Sequence, residues 1–209
     1  MRKEIFAKIY EDGIWKSGSS KSGSGSEIEQ TKILSEYLRW LIRIERIETF
    51  IDAPCGDYHW QNQFADDVKN YIGLDIVPEL IEELNSRIIE VDGRETSFAV
   101  RDIVSDSLPP GDFLLCRDCL VHLSHDESLK AIRNMISAPI RLIGITTFID
   151  RESNEDAPAP EWTPMNLSHE PFNFRAPKYL FIEQCSEAEG RWRDKALAIY
   201  ETDFLRQIL

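Results

Sequence analysis

Short apolar runs, the first three carrying an acid at the carboxyl end, recur through this chain with helical patterns between them. That alternation decides the fold class. Thr49 to Ala53 (TFIDA), Tyr71 to Ile76 (YIGLDI) and Ser97 to Asp102 (SFAVRD) read as buried strands. Asp112 to Cys116 (DFLLC) and Ile140 to Phe148 (IRLIGITTF) read as a fourth and a fifth. Ser26 followed by Glu29 is a capping box, and behind it Leu34, Tyr37, Leu38, Leu41 and Ile42 recur at helical spacing. Pro78 stands where a helix-opening proline belongs, with Leu80, Ile81, Leu84 and Ile88 as the apolar face. Ser124 and Glu127 form a second capping box, for a helix running to about Ser137. Tyr179 to Cys185 and Ala196 to Glu201 read as a closing strand pair joined through the region of Gly190.

Strands that alternate with helices lie parallel and are covered on both faces. The closing pair has no helix between its members, so it pairs antiparallel at one edge. The expected fold is α/β: a single doubly wound, mostly parallel seven-stranded sheet with helices on both faces and an antiparallel edge strand. Its ligand crevice lies beyond the carboxyl ends of the strands. One domain is expected, with an N-terminal extension (1–26), a core (27–149), a long connection (150–178) and the closing pair (179–209).

Two stretches depart from the pattern. Ser17 to Ser26 (SGSSKSGSGS) has linker composition. Asp150 to Lys178 shows neither helical nor strand period, yet Trp162, Phe172 and Phe174 argue for order.

Charge narrows the ligand. The chain holds 24 Lys and Arg against 37 Asp and Glu in 209 residues, a formal net charge of −13. Gripping long nucleic acid requires Lys and Arg to neutralise phosphates, so no nucleic-acid partner is expected. No apolar run reaches the length of a membrane span, and Met1 to Tyr10 has no secretion-signal core. Four cysteines in a chain of this size are no disulfide framework, and Cys116 and Cys119 lack the further ligands of a zinc site. A reducing cytoplasm and no metal are the expectations.

The first loop, Asp52-Ala-Pro-Cys-Gly56-Asp57, keeps a single glycine between two acids. A dinucleotide pyrophosphate needs several glycines and no adjacent negative charge. Asp52 and Asp57 would repel it and would attract an ammonium or a sulfonium-bearing amino acid. Asp75 lies about twenty residues on, where a ribose-binding acid is expected. Asp102 can accept the exocyclic amine of adenine, with Ile103 as an apolar wall.

FIDAPCGD, YIGLDI, RDI and LLCRDCLVHLS, in that order, resemble the class I S-adenosylmethionine-dependent methyltransferases. More narrowly they resemble a bacterial subgroup with DAPCGD as first motif and CRD-x-LVHLS after the fourth strand. The W-x-SG…SGSGS stretch and NL-x-x-x-PFNF also match it. The resemblance implies S-adenosyl-L-methionine as cofactor, contacts from Asp52, Gly56, Asp75 and Asp102, and a Ser/Gly stretch that acts as a lid. The cofactor-binding set is then Asp52, Pro54, Cys55, Gly56, Asp57, Asp75, Ile76, Asp102, Ile103, Arg117, Ser22, Gly23 and Ser26. The chain departs from the family by placing Pro54 and Tyr58 where the first motif usually has glycine.

Methyl transfer from a sulfonium is an in-line displacement that needs positioning, and a base if the nucleophile is a hydroxyl. His122 suits that base, with Asp118 orienting it or acting itself. Asn166, Phe172, Asn173 and Phe174 are the expected substrate wall. The expected acceptor is a small molecule or saccharide, O-methylated in preference to N-methylated, and a homodimer is left open. A non-catalytic S-adenosylmethionine-binding module and a nicotinamide-dependent oxidoreductase are the competing readings.

Overall fold

The computed structural model describes residues 2–87 and 94–209. Ile88, expected on a helix face, lies outside the described residues. Seven strands form one sheet: β1 (Thr49–Asp52), β2 (Asn70–Asp75), β3 (Glu95–Val100), β4 (Gly111–Cys116), β5 (Ile140–Phe148), β6 (Tyr179–Ile182) and β7 (Lys195–Glu201). Their order is β3-β2-β1-β4-β5-β7-β6. The first five are parallel, and β7 runs antiparallel to β5 and to β6. The antiparallel strand therefore sits one place in from the edge, and β6 closes the sheet outside it. β6 stops at Ile182, short of the expected Cys185, and Gln184 beyond it takes a left-handed φ of 55°.

The longer helices are α1 (Arg2–Glu11), α2 (Ile28–Glu45), α3 (Pro78–Asn85) and α4 (His125–Ser137); two short ones, Glu187–Gly190 and Thr202–Arg206, flank β7. Side chains alternate across a strand with period two, and this divides the core into two halves. On one face Ile51, Leu114, Ile143 and Ile145 pack with Ala131, Ile132 and Met135 of α4. On the other, Phe50, Phe113 and Leu142 pack with Leu34, Leu38 and Leu41 of α2 and Leu80 and Leu84 of α3. Each Leu buried this way stabilises the fold by roughly 1.5–3 kcal/mol.

α4 begins as expected, with Ser124 Oγ accepting from the Glu127 N–H. α2 does not begin on a Ser26 cap. Ser26 ends a 3₁₀ turn (Ser24–Ser26), and the N-cap is Glu27, which makes no side-chain capping bond. The Glu27 carboxylate instead accepts from the Ser19 N–H (3.0 Å) and hydroxyl (2.8 Å). α1 was not foreseen at all, although Phe6, Ile9 and Tyr10 stand at helical spacing. No regular element lies between β5 and β6.

Candidate functional site

Parallel pairing aligns the carboxyl ends of β1 to β4 along one edge. Asp52 is level with Gly73 and Leu115, so Asp75 and Cys116 project just past it. Beyond that edge lies a cavity of about 460 Å³. Asp52, Pro54, Cys55 and Gly56 of the β1 exit loop line it, as do Ser22 to Ser26 and, from α1, Arg2, Phe6 and Tyr10.

The loop and the Ser/Gly segment are built to touch. Gly56 has φ 54°, and a Cβ there would run into Ser22. The Asp57 N–H donates to Ser22 Oγ at 2.9 Å, and the Ser22 hydroxyl donates back to the Asp57 carboxylate at 3.1 Å. Asp57 also accepts from the Lys21 N–H at 2.6 Å and from the Ser20 hydroxyl. This corrects the reading of Asp57 as a ligand-facing acid: its carboxylate fastens the segment, and it does not line the cavity. Tyr58 holds φ 56° without a glycine, its ring edge-on to Tyr71 and Phe98.

Asp52 is 1 % exposed, and its Oδ2 accepts from the Tyr71 hydroxyl (2.6 Å) and Gln61 Nε2 (2.7 Å). Burial pushes its pKa up to about 7, against both hydrogen bonds. Asp75 accepts from the N–H groups of Gly56 (3.2 Å) and Val77 (3.0 Å), and burial pushes it up to about 6. Neither acid forms an ion pair among the described residues. Gln61 Oε1 is buried beside them with no hydrogen-bond partner.

Ile76 and Ile103 line the cavity, and so does Asp102. The Asp102 carboxylate is nevertheless engaged. It pairs with Arg2 Nη2 at 2.7 Å and accepts from the Val104 N–H at 2.9 Å. Asp102 thus lines the cavity with its carboxylate already paired to α1.

Just past β4, Arg117 pairs with Glu183 (2.8 Å) and Asp118 (3.2 Å), and Lys195 pairs with Asp118 (2.5 Å). Arg117 is buried and lines the cavity, its guanidinium 5.2 Å from the Trp60 ring centre. Burial alone would raise the Asp118 pKa, but Lys195 and Arg117 outweigh it and hold the group below its ordinary value. These two cations favour the ionised carboxylate.

His122 ends a 3₁₀ turn (Leu120–His122), with Nδ1 3.2 Å from the Pro160 carbonyl. A carbonyl only accepts, so Nδ1 carries the proton and Nε2 the lone pair. Burial lowers the pKa of the ring and so favours the neutral imidazole. Nδ1 is thus held by the long connection.

The four residues expected as a substrate wall lie away from the cavity. Phe172 and Phe174 are core residues packed with β5, β7 and α4. The Asn166 side chain donates to the carbonyls of Ile149 and Arg151, bracing the connection. Asn173 is exposed, with φ 55°. None of the four lines the cavity. Phe148, Trp162 and Trp192 line it instead, with Trp15. Trp162 carries in sequence only a sign of order, and Trp192 only its place between Arg191 and Arg193 beside a turn.

No protein-family model matches the sequence, and no curated protein does. Solved structures do. Human N-acetylserotonin methyltransferase, in complex with S-adenosylmethionine, superposes with a TM-score of 0.63 at 12% identity, over 96% of this chain and 59% of that one. Magnesium protoporphyrin IX methyltransferase from Synechocystis PCC 6803, with the same ligand bound, gives 0.55 at 17% identity over 75% and 80%. The N-methyltransferase NodS from Bradyrhizobium japonicum WM9, in complex with S-adenosyl-L-homocysteine, gives 0.54 at 14% over 71% and 74%. The chain has the Rossmann-like fold of the class I methyltransferases.

Proposed function

We propose that a protein with this fold and this cavity is an S-adenosylmethionine-dependent methyltransferase that O-methylates a small-molecule or saccharide-type acceptor. One observation carries the reading: two buried acids, Asp52 and Asp75, line a cavity that the imidazole of His122 also lines. Burying carboxylates without a counter-ion is unfavourable, and both pKa values register that cost. A ligand with an ammonium and a sulfonium relieves it, and a pyrophosphate aggravates it. The unpartnered Gln61 Oε1 offers such a ligand a further acceptor. The residues present therefore fit the cofactor.

Asp52, Gln61 and the Gly56 loop would hold its amino-acid part, and Asp75 with Ile76 and Ile103 its nucleoside. When bound, it supplies an electrophilic methyl group. His122 takes the acceptor's proton, Asp118 and Lys195 set the charge around it, and the Ser22–Ser26 segment excludes water.

Calorimetry with S-adenosylmethionine and S-adenosylhomocysteine tests the reading directly, and binding of neither ends it. Once an acceptor is in hand, His122→Ala is expected to slow transfer by about 10²–10⁴-fold, the usual contribution of a general base.

A further inference from the structure

At the His122 end of the cavity three rings pack on one another. Trp162 and Trp192 have centroids 4.6 Å apart, and Phe148 lies 5.7 Å from the first and 6.0 Å from the second. Rings in mutual contact leave no room to enclose a cation between them, so they form a surface rather than a cage. Arg151 already stands 5.1 Å from the Trp192 centroid, and its guanidinium repels a second cation. Trp162 keeps 39% of its surface exposed, an apolar face available for stacking.

The charges at this end are two cations, Arg117 and Lys195, and three carboxylates, Glu183, Asp118 and Glu187. Arg117 and Lys195 are shared between Glu183 and Asp118, and Glu187 accepts from the Ser24 hydroxyl. An anionic acceptor would find no free cation in that set, and Arg151 over the Trp192 ring repels a cationic one. Among the described residues Asp118 Oδ1 is buried without a partner and asks for a hydrogen-bond donor, while Arg151 Nε, also without a hydrogen bond, stands 3.9 Å from the Asp194 carboxylate. A pyranose would bring several hydroxyls to this surface, each costly to desolvate unpaired. A phenol brings one ring face and one or two hydroxyls.

Resting on the methyltransferase reading above, we infer that the acceptor is an uncharged aromatic ring bearing a hydroxyl, stacked on the Trp162–Trp192 surface. Its oxygen forms the bond to the methyl carbon as the sulfonium S–C bond breaks. The hydroxyl proton passes to His122, and the sulfur leaves as a neutral thioether.

The test uses the full chain in three arms. Calorimetry with S-adenosylhomocysteine comes first, because its failure removes the cofactor reading and this inference with it. Given binding, methyl-labelled S-adenosylmethionine is offered with catechol, 2-naphthol and 5-hydroxyindole, and separately with methyl α-glucopyranoside, methyl α-rhamnopyranoside and tyramine. The expected result is label in at least one phenol of the first set and in none of the second. Label in a pyranoside or in tyramine overturns the inference, and so does label in none of the phenols. In the third arm, acceptor binding is read by calorimetry on protein loaded with S-adenosylhomocysteine. Trp162→Ala is expected to weaken phenol binding about tenfold or more, the scale of one lost ring contact. Unchanged phenol affinity in Trp162→Ala also overturns it.

Discussion

The indole of Trp15 lies against the imidazole of His122, ring centroids 4.5 Å apart and planes inclined by 32°. The N-terminal extension, whose Ser22–Ser26 stretch lines the cavity, therefore also covers the candidate base. Trp15 is part of the burial that lowers the His122 pKa. Trp15→Ala admits water to the ring and moves that pKa up toward its ordinary value. The acid limb of the pH–rate profile should move to higher pH with it. An NMR titration of the His122 ring gives the same answer without turnover, and a midpoint that stays put in the variant refutes the coupling.

Asp52 sets a pH dependence of opposite sense. A carboxyl raised to about 7 in the fold, against an ordinary value near 4, favours the unliganded protein at low pH. That contribution is lost as the pH rises through 7, where the buried group must ionise. The Tm of the unliganded protein should fall between pH 4 and pH 7 and level off above it, and Asp52→Asn should flatten the fall. An ammonium ligand prefers the ionised form, so S-adenosylhomocysteine affinity should rise over the same window. At pH 8, Asp52→Asn is expected to bind it about 10–100-fold more weakly, as for one lost hydrogen bond to a charged group. Equal affinity in variant and wild type would remove Asp52 from the site.

Gly56→Ala probes the contact between loop and segment. The left-handed φ of 54° disfavours any side chain, and the new methyl meets Ser22. Backbone strain and a displaced segment should together weaken S-adenosylhomocysteine binding and expose Lys21 to trypsin. Cleavage at Lys21 no faster than in the wild type would mean that the segment is held elsewhere.

Much of this was readable in the residues. Period-two alternation such as Phe50/Ile51 and Phe113/Leu114 determined both core faces, and acids at strand ends marked the crevice. The rest depended on distant partners. Ser26 resembles a cap until Ser19 and Ser20 claim Glu27. Asp102 resembles an open carboxylate until Arg2, a hundred residues away, reaches it. Phe172 and Phe174 resemble a binding wall because aromatic content does not say which side of a loop faces the core. Lys195 and Trp192 reach the site only because β7 returns beside β5, and that pairing has no local signature.

The same return explains the last expectation. Arg117 leaves β4, Glu183 follows β6 and Lys195 opens β7, so their side chains join three strand ends across β5. Glu183 is buried, takes the Arg117 guanidinium at 2.8 Å, and its own N–H donates to the Lys195 carbonyl at 2.9 Å. Glu183→Gln keeps the volume and removes the charge, leaving Arg117 and Lys195 to share Asp118. Breaking one partner of a buried pair costs about 3–5 kcal/mol, which for a chain of this length lowers Tm by about 10 °C. Replacing both members, Arg117→Met with Glu183→Leu, removes the uncompensated charge and should recover most of that loss. Thermal melts of the single and double variants decide it: a double variant no more stable than Glu183→Gln would mean that the Arg117–Glu183 charges are not what joins β4 to β6.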